Sequence, residues 1–137
     1  MLDGIDLKGG AGYDFSVFAK SANANGRIKV FVKSPDGSNA LEGEIALNSS
    51  EWKKYSLSTV AKSGTKAAPL ALEIEADGGV AIDMVSLFPR DTFKGRKNGL
   101  RKDLAETLAA LKPNFVRFPG GCIVHADKPE HFYRWQY

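Results

Sequence analysis

Residues 115–122 carry the side chains best suited to chemistry, because one arginine is followed almost at once by a Pro-Gly-Gly turn. The planar guanidinium of Arg117 can hold a carboxylate through two parallel hydrogen bonds. Pro119 has a fixed φ and no N–H, whereas Gly120 and Gly121 tolerate positive φ and let the backbone approach a ligand closely. At the C-terminal end of a parallel strand, such a turn is where α/β enzymes place groups that touch substrate. The alternative is that Arg117 pairs with a structural carboxylate and the glycines only turn the chain.

The elements before this turn must position it. Leucines at 100, 104, 108 and 111 form one apolar stripe, which predicts a helix over residues 98–111. Asn98 is the predicted N-cap, and Pro113 ends the pattern. Residues 115–118 are predicted to form a short buried strand. A helix, a tight turn and a buried strand together make one unit of an α/β layer or barrel.

These segments resemble the α-L-arabinofuranosidases of glycoside hydrolase family 51. The matching segments are VSLFP (85–89), DTFK (91–94), NGLRKDL (98–104), LKP (111–113) and RFPGGC (117–122). The resemblance implies a (β/α)8 barrel that removes terminal non-reducing α-L-arabinofuranosyl groups from arabinan or arabinoxylan with retention of configuration. It also implies that this chain is a fragment, since a barrel needs about 250 residues. The implied partner is an arabinose-containing polysaccharide or oligosaccharide.

The resemblance also implies roles for individual residues. It assigns substrate binding to Arg117, Gly120, Gly121, Cys122 and Trp135, with Arg117 beneath the sugar subsite. It assigns no catalytic residue to this chain, because the two catalytic glutamates of the family lie on later barrel strands. A small buried apolar side chain is the simpler interpretation of Cys122, and Trp135 is either a pocket wall or core.

The segment after the turn departs from the family pattern. Many members continue after the cysteine with an aromatic, a small residue and an acidic group, whereas here residues 123–127 read IVHAD. His125 therefore leaves the rim of the implied subsite in doubt. Glu130 lies in a charged segment and is interpreted as facing solvent. His125 and His131 have no partner pattern and are interpreted as surface or structural residues.

Residues up to about 88 have the pattern of an antiparallel β-sandwich. Six short segments alternate apolar and polar residues and are separated by Gly, Asn and Asp, with no helical pattern between them. A jelly roll usually has eight strands, so the count predicts a galactose-binding-like jelly roll that is truncated at its N-terminus. The predicted division is a carbohydrate-binding-module-like sandwich over 1–88, a linker over 89–97 and the start of the catalytic barrel over 98–137.

Aromatic side chains in the sandwich are candidates for stacking on sugars. Trp52, Tyr55, Tyr13 and Phe31 are the candidates, but aromatics in alternating strands are usually core, so core positions are predicted for them, and for Phe15. A rival function follows from the same residues, namely a non-catalytic carbohydrate-binding or interaction module.

Composition and charge bear on the other functions that a chain of this size could have, namely binding of nucleic acid, metals or membranes. The net charge is +3, and six basic and two acidic side chains lie between Arg90 and Asp103. That stretch has Phe93 as its one aromatic, so a solvated loop is preferred to a nucleic-acid site. The single cysteine and two histidines have no metal-ligand spacing, so neither cofactor nor metal is predicted. No apolar run is long enough to span a membrane, and no signal peptide is evident. Localisation and the oligomeric state of a full-length parent stay open.

Overall fold

The computed structural model describes residues 4–117, in which eight β-strands precede a short helical segment. The strands are β1 (Ile5–Leu7), β2 (Gly12–Ser21), β3 (Gly26–Lys33), β4 (Asn39–Leu47), β5 (Lys53–Val60), β6 (Thr65–Ala68), β7 (Leu70–Glu75) and β8 (Val80–Pro89). A 3₁₀ turn at Phe93–Gly95 and the helix α1 (Lys102–Ala110) follow. The predicted fold class is confirmed: the chain is mainly β, with antiparallel pairing throughout the described strands.

Two three-stranded sheets form the sandwich. Their strand orders are β5-β2-β8 and β4-β3-β7, and β1 pairs with β6 in a separate two-stranded ribbon. The inward side chains of both sheets form one core cluster: Phe15, Val17, Ala19, Ile28, Val30, Ile45, Leu47 and Tyr55. A second cluster joins the ribbon to the sheets: Leu7, Tyr13, Val32, Ala40, Leu41, Ala61 and Ala68. Burial of these apolar side chains is the main stabilising contribution.

β2 pairs with β5 on one side and β8 on the other, and its residues alternate strictly between the two faces of the sheet. Its residues at 13, 15, 17 and 19 are buried, and those at 14, 16, 18 and 20 point to the outer face. A strand with this period buries one side and presents the other to solvent. The predicted core positions of Tyr13, Phe15 and Tyr55 are therefore confirmed, at 6%, 1% and 7% exposure.

A bulge in β8 sets which of its side chains reach the outer face. Ser16 pairs with Ser86 and Phe18 pairs with Asp83, so β8 has one residue more than β2 between these pairs. Met84, inside the bulge, has a φ of 50°, a conformation that costs a side chain other than glycine about 1 kcal/mol. The extra residue re-aims the strand so that Ser86 lies beside Ser16.

The strand count predicted from the sequence is wrong, because eight strands are present within residues 4–117 rather than six. The two missed strands are β1 and β6. β1 has only three residues, and β6 reads TKAA, which lacks alternation and β-branched residues beyond its first position. The count no longer supports an N-terminal truncation, and the boundaries at residues 88 and 97 stay predictions.

The predicted helix exists but begins later than expected. It was predicted over 98–111 with Asn98 as N-cap, whereas α1 spans Lys102–Ala110 and Asn98 has a φ of 50°. The Phe93 N–H donates to the Leu100 carbonyl, and Thr92 forms a bridge with Arg101. These bonds pull residues 96–100 into a loop that closes on Thr92, so no helical turn forms there.

The predicted buried strand at 115–118 is not formed in the described residues. Phe115, Val116 and Arg117 adopt no strand, and Phe115 is 84% exposed. A strand needs a neighbour for its backbone groups and a surface for its side chains. Residues 4–117 provide neither at this position. Phe118 lies outside the described residues.

Two of the aromatic predictions are wrong. Trp52 was predicted to pack inside, but it precedes β5 and is 49% exposed. Phe31 lies on the opposite side of β3 from the fully buried Ile28, Val30 and Val32, so it faces outward. Both aromatic side chains therefore belong to the surface of the sandwich.

Candidate functional site

Arg117 is the one member of the predicted sugar-binding set that the structure describes. It lies in an exposed, non-helical segment, and no carboxylate among residues 4–117 is within salt-bridge distance of it. Gly120, Gly121, Cys122 and Trp135 lie outside the described residues, as do Glu130, His125 and His131. The predicted subsite is therefore untested by this structure.

The described residues bring polar and aromatic groups together on the outer face of the β5-β2-β8 sheet, which we call the serine face. Ser16 is flanked by Ser56 of β5 and Ser86 of β8. The Ser16 and Ser86 hydroxyl oxygens lie 2.8 Å apart, within hydrogen-bond distance. Two residues farther along the paired strands, the Ser58 hydroxyl donates to Asp14 at 2.6 Å. A row of hydroxyls of this kind can donate to and accept from a polar ligand.

Two aromatic side chains at the other end of the serine face each lie beside a lysine. The Lys20 Nζ is 5.3 Å from the centroid of the Trp52 ring, and the Lys54 Nζ is 5.7 Å from that of Phe18. These distances are typical of cation–π contacts. Phe18 is 36% exposed although it lies at the centre of the sheet, because it occupies the outward phase of β2.

A pocket of about 380 Å³ lies at this aromatic end. Its lining includes Lys20, Ser50 and Val80, together with the backbone of Gly79. Among the described residues that line it, Lys20 is the only charged one. No carboxylate among residues 4–117 forms a salt bridge with it. The pocket is therefore basic with a largely apolar lining, and its lysine also contacts the ring of Trp52, which lies outside that lining.

The loop after β8 closes the opposite end of the serine face. Lys97 and Asn98 line a cavity of about 60 Å³ together with side chains of β2 and β5. Arg90 also reaches over this end, where its Nε is 3.3 Å from a carboxylate oxygen of Asp14. The serine face is thus open at the Trp52 end and covered at the Asp14 end.

The outer face of the β4-β3-β7 sheet, which we call the ladder face, has a different chemistry. Arg27 lies 3.4 Å from both Glu44 and Glu75, and Lys29 lies 3.7 Å from Glu73. A hydrogen bond from Lys29 lowers the pKa of Glu75, and the same bond raises the pKa of Lys29. These charges neutralise one another in place, which is typical of a solvated exterior rather than a ligand site.

A larger cleft, about 940 Å³, lies between β1 and α1. Two ion pairs lie in it: Lys102 with Asp91 at 3.2 Å, and Arg101 with Asp103 at 2.7 Å. The hydrogen bonds from Arg101 hold the pKa of Asp103 at about 2. Among the described residues of this cleft, no side chain combines a perturbed pKa with burial, so nothing here indicates acid–base chemistry.

Neither a metal site nor a membrane span is found in the part of the chain that the structure describes. No group of three or more His, Cys, Asp or Glu side chains there could hold an ion. Likewise, among residues 4–117 no helix has the length and apolar character needed to cross a bilayer.

Comparison with known proteins extends over nearly the whole chain. An extracellular exo-α-L-arabinofuranosidase of Streptomyces chartreusis is 43% identical over 94% of this chain. Along nearly its whole length, the chain is similar to one part of an α-L-arabinofuranosidase. An arabinose-bound family 51 α-L-arabinofuranosidase, MgGH51, superposes on 98% of the chain with a TM-score of 0.83 and 27% identity, over 23% of its own chain. No family model matches the sequence.

The chain spans only part of these relatives. It covers 15% of the Streptomyces protein and 20% of α-L-arabinofuranosidase 1 of Arabidopsis thaliana, which is 34% identical over 97% of the chain. The sequence resemblance to family 51 is therefore confirmed, and it extends upstream through the sandwich.

Phe18, Lys20 and the hydroxyl row were not predicted as a set from the sequence. The available signal was the outward phase of β2, where residues 14, 16, 18 and 20 read Asp, Ser, Phe and Lys. An aromatic residue in the polar phase of a strand is exposed unless something covers it. The neighbours of these side chains on β5 and β8 follow only from the strand register.

Proposed function

We propose that this chain is a segment of an α-L-arabinofuranosidase that hydrolyses terminal non-reducing α-L-arabinofuranosyl residues of arabinan or arabinoxylan with retention. The observation that carries the proposal is the 43% identity with an exo-α-L-arabinofuranosidase along 94% of the chain. The superposition on MgGH51, which also includes the helical segment, supports it.

In this proposal the chain contributes structure and substrate contacts, and other parts of the enzyme contribute the catalytic carboxylates. Retaining hydrolysis needs two carboxyl groups about 5 Å apart, one as nucleophile and one as acid and base. No residue here matches the family's motif for either. We therefore expect no hydrolysis by the isolated chain.

Arg117 is proposed to orient the nucleophilic carboxylate. A guanidinium fixed beside a carboxylate lowers the pKa of that carboxylate, which keeps the nucleophile ionised. Gly120 and Gly121 are proposed to let backbone groups approach the arabinose hydroxyls. Cys122 and Trp135 complete the proposed walls of the subsite.

A segment exchange tests this proposal. The corresponding segment of the Streptomyces enzyme is replaced by residues 1–137, and hydrolysis of p-nitrophenyl α-L-arabinofuranoside is measured. We expect the exchanged enzyme to remain active, with the configuration of the first product retained by NMR. An active isolated chain would contradict the assignment of both carboxylates to other parts of the enzyme.

The Arg117→Lys variant of the exchanged enzyme tests the arginine. Lysine keeps the charge but loses the planar fork, so kcat should fall about 100-fold with little change in KM. The matched control is Arg101→Lys, which alters an exposed arginine paired with Asp103. If Arg117→Lys lowers the melting temperature and leaves kcat unchanged, Arg117 is structural.

A second candidate function is carbohydrate binding by the sandwich without catalysis. The half-exposed Trp52 beside an open pocket favours it, since aromatic side chains of sugar sites must present a face to the ligand. Binding of a polysaccharide by the isolated chain, lost on Trp52→Ala, is the measurement that tests it.

A further inference from the structure

We propose that the serine face binds a carboxylate-bearing polysaccharide, and that the pocket beside Lys20 holds one uronate unit. This inference rests on the carbohydrate-binding candidate and names its ligand class. It does not depend on the hydrolase function, because binding by the sandwich requires neither catalytic glutamate.

The pocket supplies the charge that selects a carboxylate. Lys20 is the only charged group among the described residues lining a volume of about 380 Å³, which is large enough for one sugar unit. An ammonium that has no carboxylate partner within residues 4–117 can accept an external anion without breaking an existing salt bridge. Hydrogen bonds between a charged donor and a carboxylate are stronger than those between neutral groups.

The aromatic border supplies contact with the sugar ring. Trp52 is 49% exposed and lies outside the lining of the pocket, but its ring is 5.3 Å from the Lys20 Nζ, so a sugar unit that binds Lys20 at the mouth of the pocket lies within reach of the ring. A uronate presents C–H groups and a carboxylate on one small ring. Its C–H groups can lie on the indole while its carboxylate meets Lys20. A neutral pentose would satisfy only the aromatic part of this arrangement.

The outward side chains of β2 extend the site into a track. Alternate residues of a strand are about 6.7 Å apart, so Asp14 and Lys20 are separated by about 20 Å. Phe18 with Lys54, and then the serine row, follow Lys20 along this track. Lys97 and Asn98 cover the serine row, so the open part of the track runs from Lys20 to Phe18 and has room for about one further sugar unit beyond the pocket.

The acidic groups of the serine face do not oppose an anionic ligand at the pocket. Asp14 is bound by the Ser58 hydroxyl and lies 3.3 Å from Arg90, at the covered end. Asp83 lies across from Phe18 and accepts a hydrogen bond from the Met84 N–H at 2.7 Å. Neither lines the pocket beside Lys20.

The ladder face provides the matched control, because none of its side chains lines the pocket of about 380 Å³. It also carries an aromatic with a lysine nearby, since the Lys33 Nζ lies 5.4 Å from the Phe31 ring. Arg27 and Lys29 on that face are already engaged by glutamates. An acidic glycan would have to displace those carboxylates.

The test measures binding of the 137-residue chain by affinity electrophoresis and calorimetry. The probes are polygalacturonate, glucuronoarabinoxylan and neutral linear arabinan, each at low and high salt. We expect the two acidic polymers to bind the chain. High salt should weaken their binding, because salt screens charge pairs. Lys20→Gln should lower the affinity for polygalacturonate about tenfold and remove most of the salt dependence of its binding.

Trp52→Ala should lower the affinity for every bound polymer about tenfold or more, as the loss of a central aromatic contact does in other interfaces. Trp52→Tyr should retain binding, because it keeps an aromatic ring at this position. Phe31→Ala and Lys33→Ala should leave binding unchanged, and circular dichroism should show every variant folded. Preferential binding of neutral arabinan without salt dependence would overturn the acidic ligand and leave the carbohydrate-binding candidate standing. Failure to bind any polymer, or equal losses from the ladder-face variants, would overturn the site itself.

Discussion

The sandwich and the helical segment contain similar apolar side chains in opposite situations. Leu41, on β4, is fully buried, whereas Leu108, on α1, is 63% exposed. Leu100, Leu104 and Leu111 are likewise exposed, so nearly the whole predicted apolar stripe of the helix is uncovered within residues 4–117. The amphipathic pattern is as regular on the helix as on the strands.

The two regions differ in what covers their apolar faces, and not in the spacing of their apolar residues. Each sheet of the sandwich covers the inward face of the other, so the apolar side chains of both leave water together. The α1 helix packs Ala105 as its only buried residue, and a helix of this length gains little stability on its own. An amphipathic sequence therefore predicts which face will be buried but not what buries it.

The same leucine-to-alanine truncation in both regions should have the largest difference in effect. Leu41→Ala removes a fully buried side chain and should lower the free energy of unfolding by about 2–5 kcal/mol. Leu108→Ala removes a mostly exposed one and should change it by less than about 0.5 kcal/mol. Urea denaturation of the two variants measures both, and equal losses would show that α1 is packed in solution.

A second substitution tests how tightly the two sheets meet. Gly43, on β4, faces Leu57 of the opposite sheet so closely that a Cβ there would overlap the leucine side chain. Gly43→Ala should therefore cost about 1–3 kcal/mol through overpacking. Gly79→Ala is the matched control, because a methyl group at Gly79 would meet no atom of the described residues within 4 Å.

The partner of Gly43 offers a rescue of that effect. Adding Leu57→Ala to Gly43→Ala opens the space that the new methyl group needs, so the double variant should lose less than the sum of the two single losses. Additive losses, measured by the same urea denaturation, would mean that Gly43 and Leu57 do not share that space.

The smallest expected effect concerns the charges that hold the start of α1. The Arg101 hydrogen bonds stabilise the ionised Asp103, whose pKa is about 2 against an ordinary value of 3.8. A depressed carboxyl pKa adds stability above pH 3.8, and this contribution disappears as the pH falls through about 2. Because both side chains are well exposed to solvent, the change in unfolding should be small.

An NMR titration of the Asp103 side chain checks this assignment. Arg101→Gln should raise the pKa of Asp103 toward 3.8, whereas Lys102→Gln should leave it unchanged, because Lys102 pairs with Asp91. An unchanged pKa in Arg101→Gln would assign the shift to the helix N-terminus instead.

Phe31 and Trp52 show where prediction from the sequence stopped. In β3 the residues at 28, 30, 31 and 32 are all apolar, so alternation alone leaves the phase of Phe31 ambiguous. Pairing of Phe31 with Glu42 and Ala71 settles it, because neighbouring residues in register share one face. Trp52 precedes β5, so alternation along a strand does not predict whether its side chain faces inward or outward.

The two candidate sites also differ in whether the sequence could predict them. The Arg117 turn and its relatives in family 51 were recognised from adjacent residues in the chain, which is the information that a sequence motif carries. The serine face joins β2, β5 and β8, whose outward residues lie far apart in the chain, as with Ser16 and Ser86. No local pattern predicts such a neighbour.

The sequence by itself determined the alternating faces of the strands, the apolar stripe of the helix and the resemblance to family 51. These are properties of local spacing and side-chain type, and they do not change with what packs nearby. Only the tertiary structure decided the start of α1, the exposure of Trp52 and the meeting of the three serines. The three serines meet because the register of β2 with β5 and β8 selects one arrangement among several that local spacing allows. The start of α1 depends on the backbone bonds that join residues 92–93 to residues 100–101. The exposure of Trp52 depends on which side chains pack against it, and local spacing does not specify them.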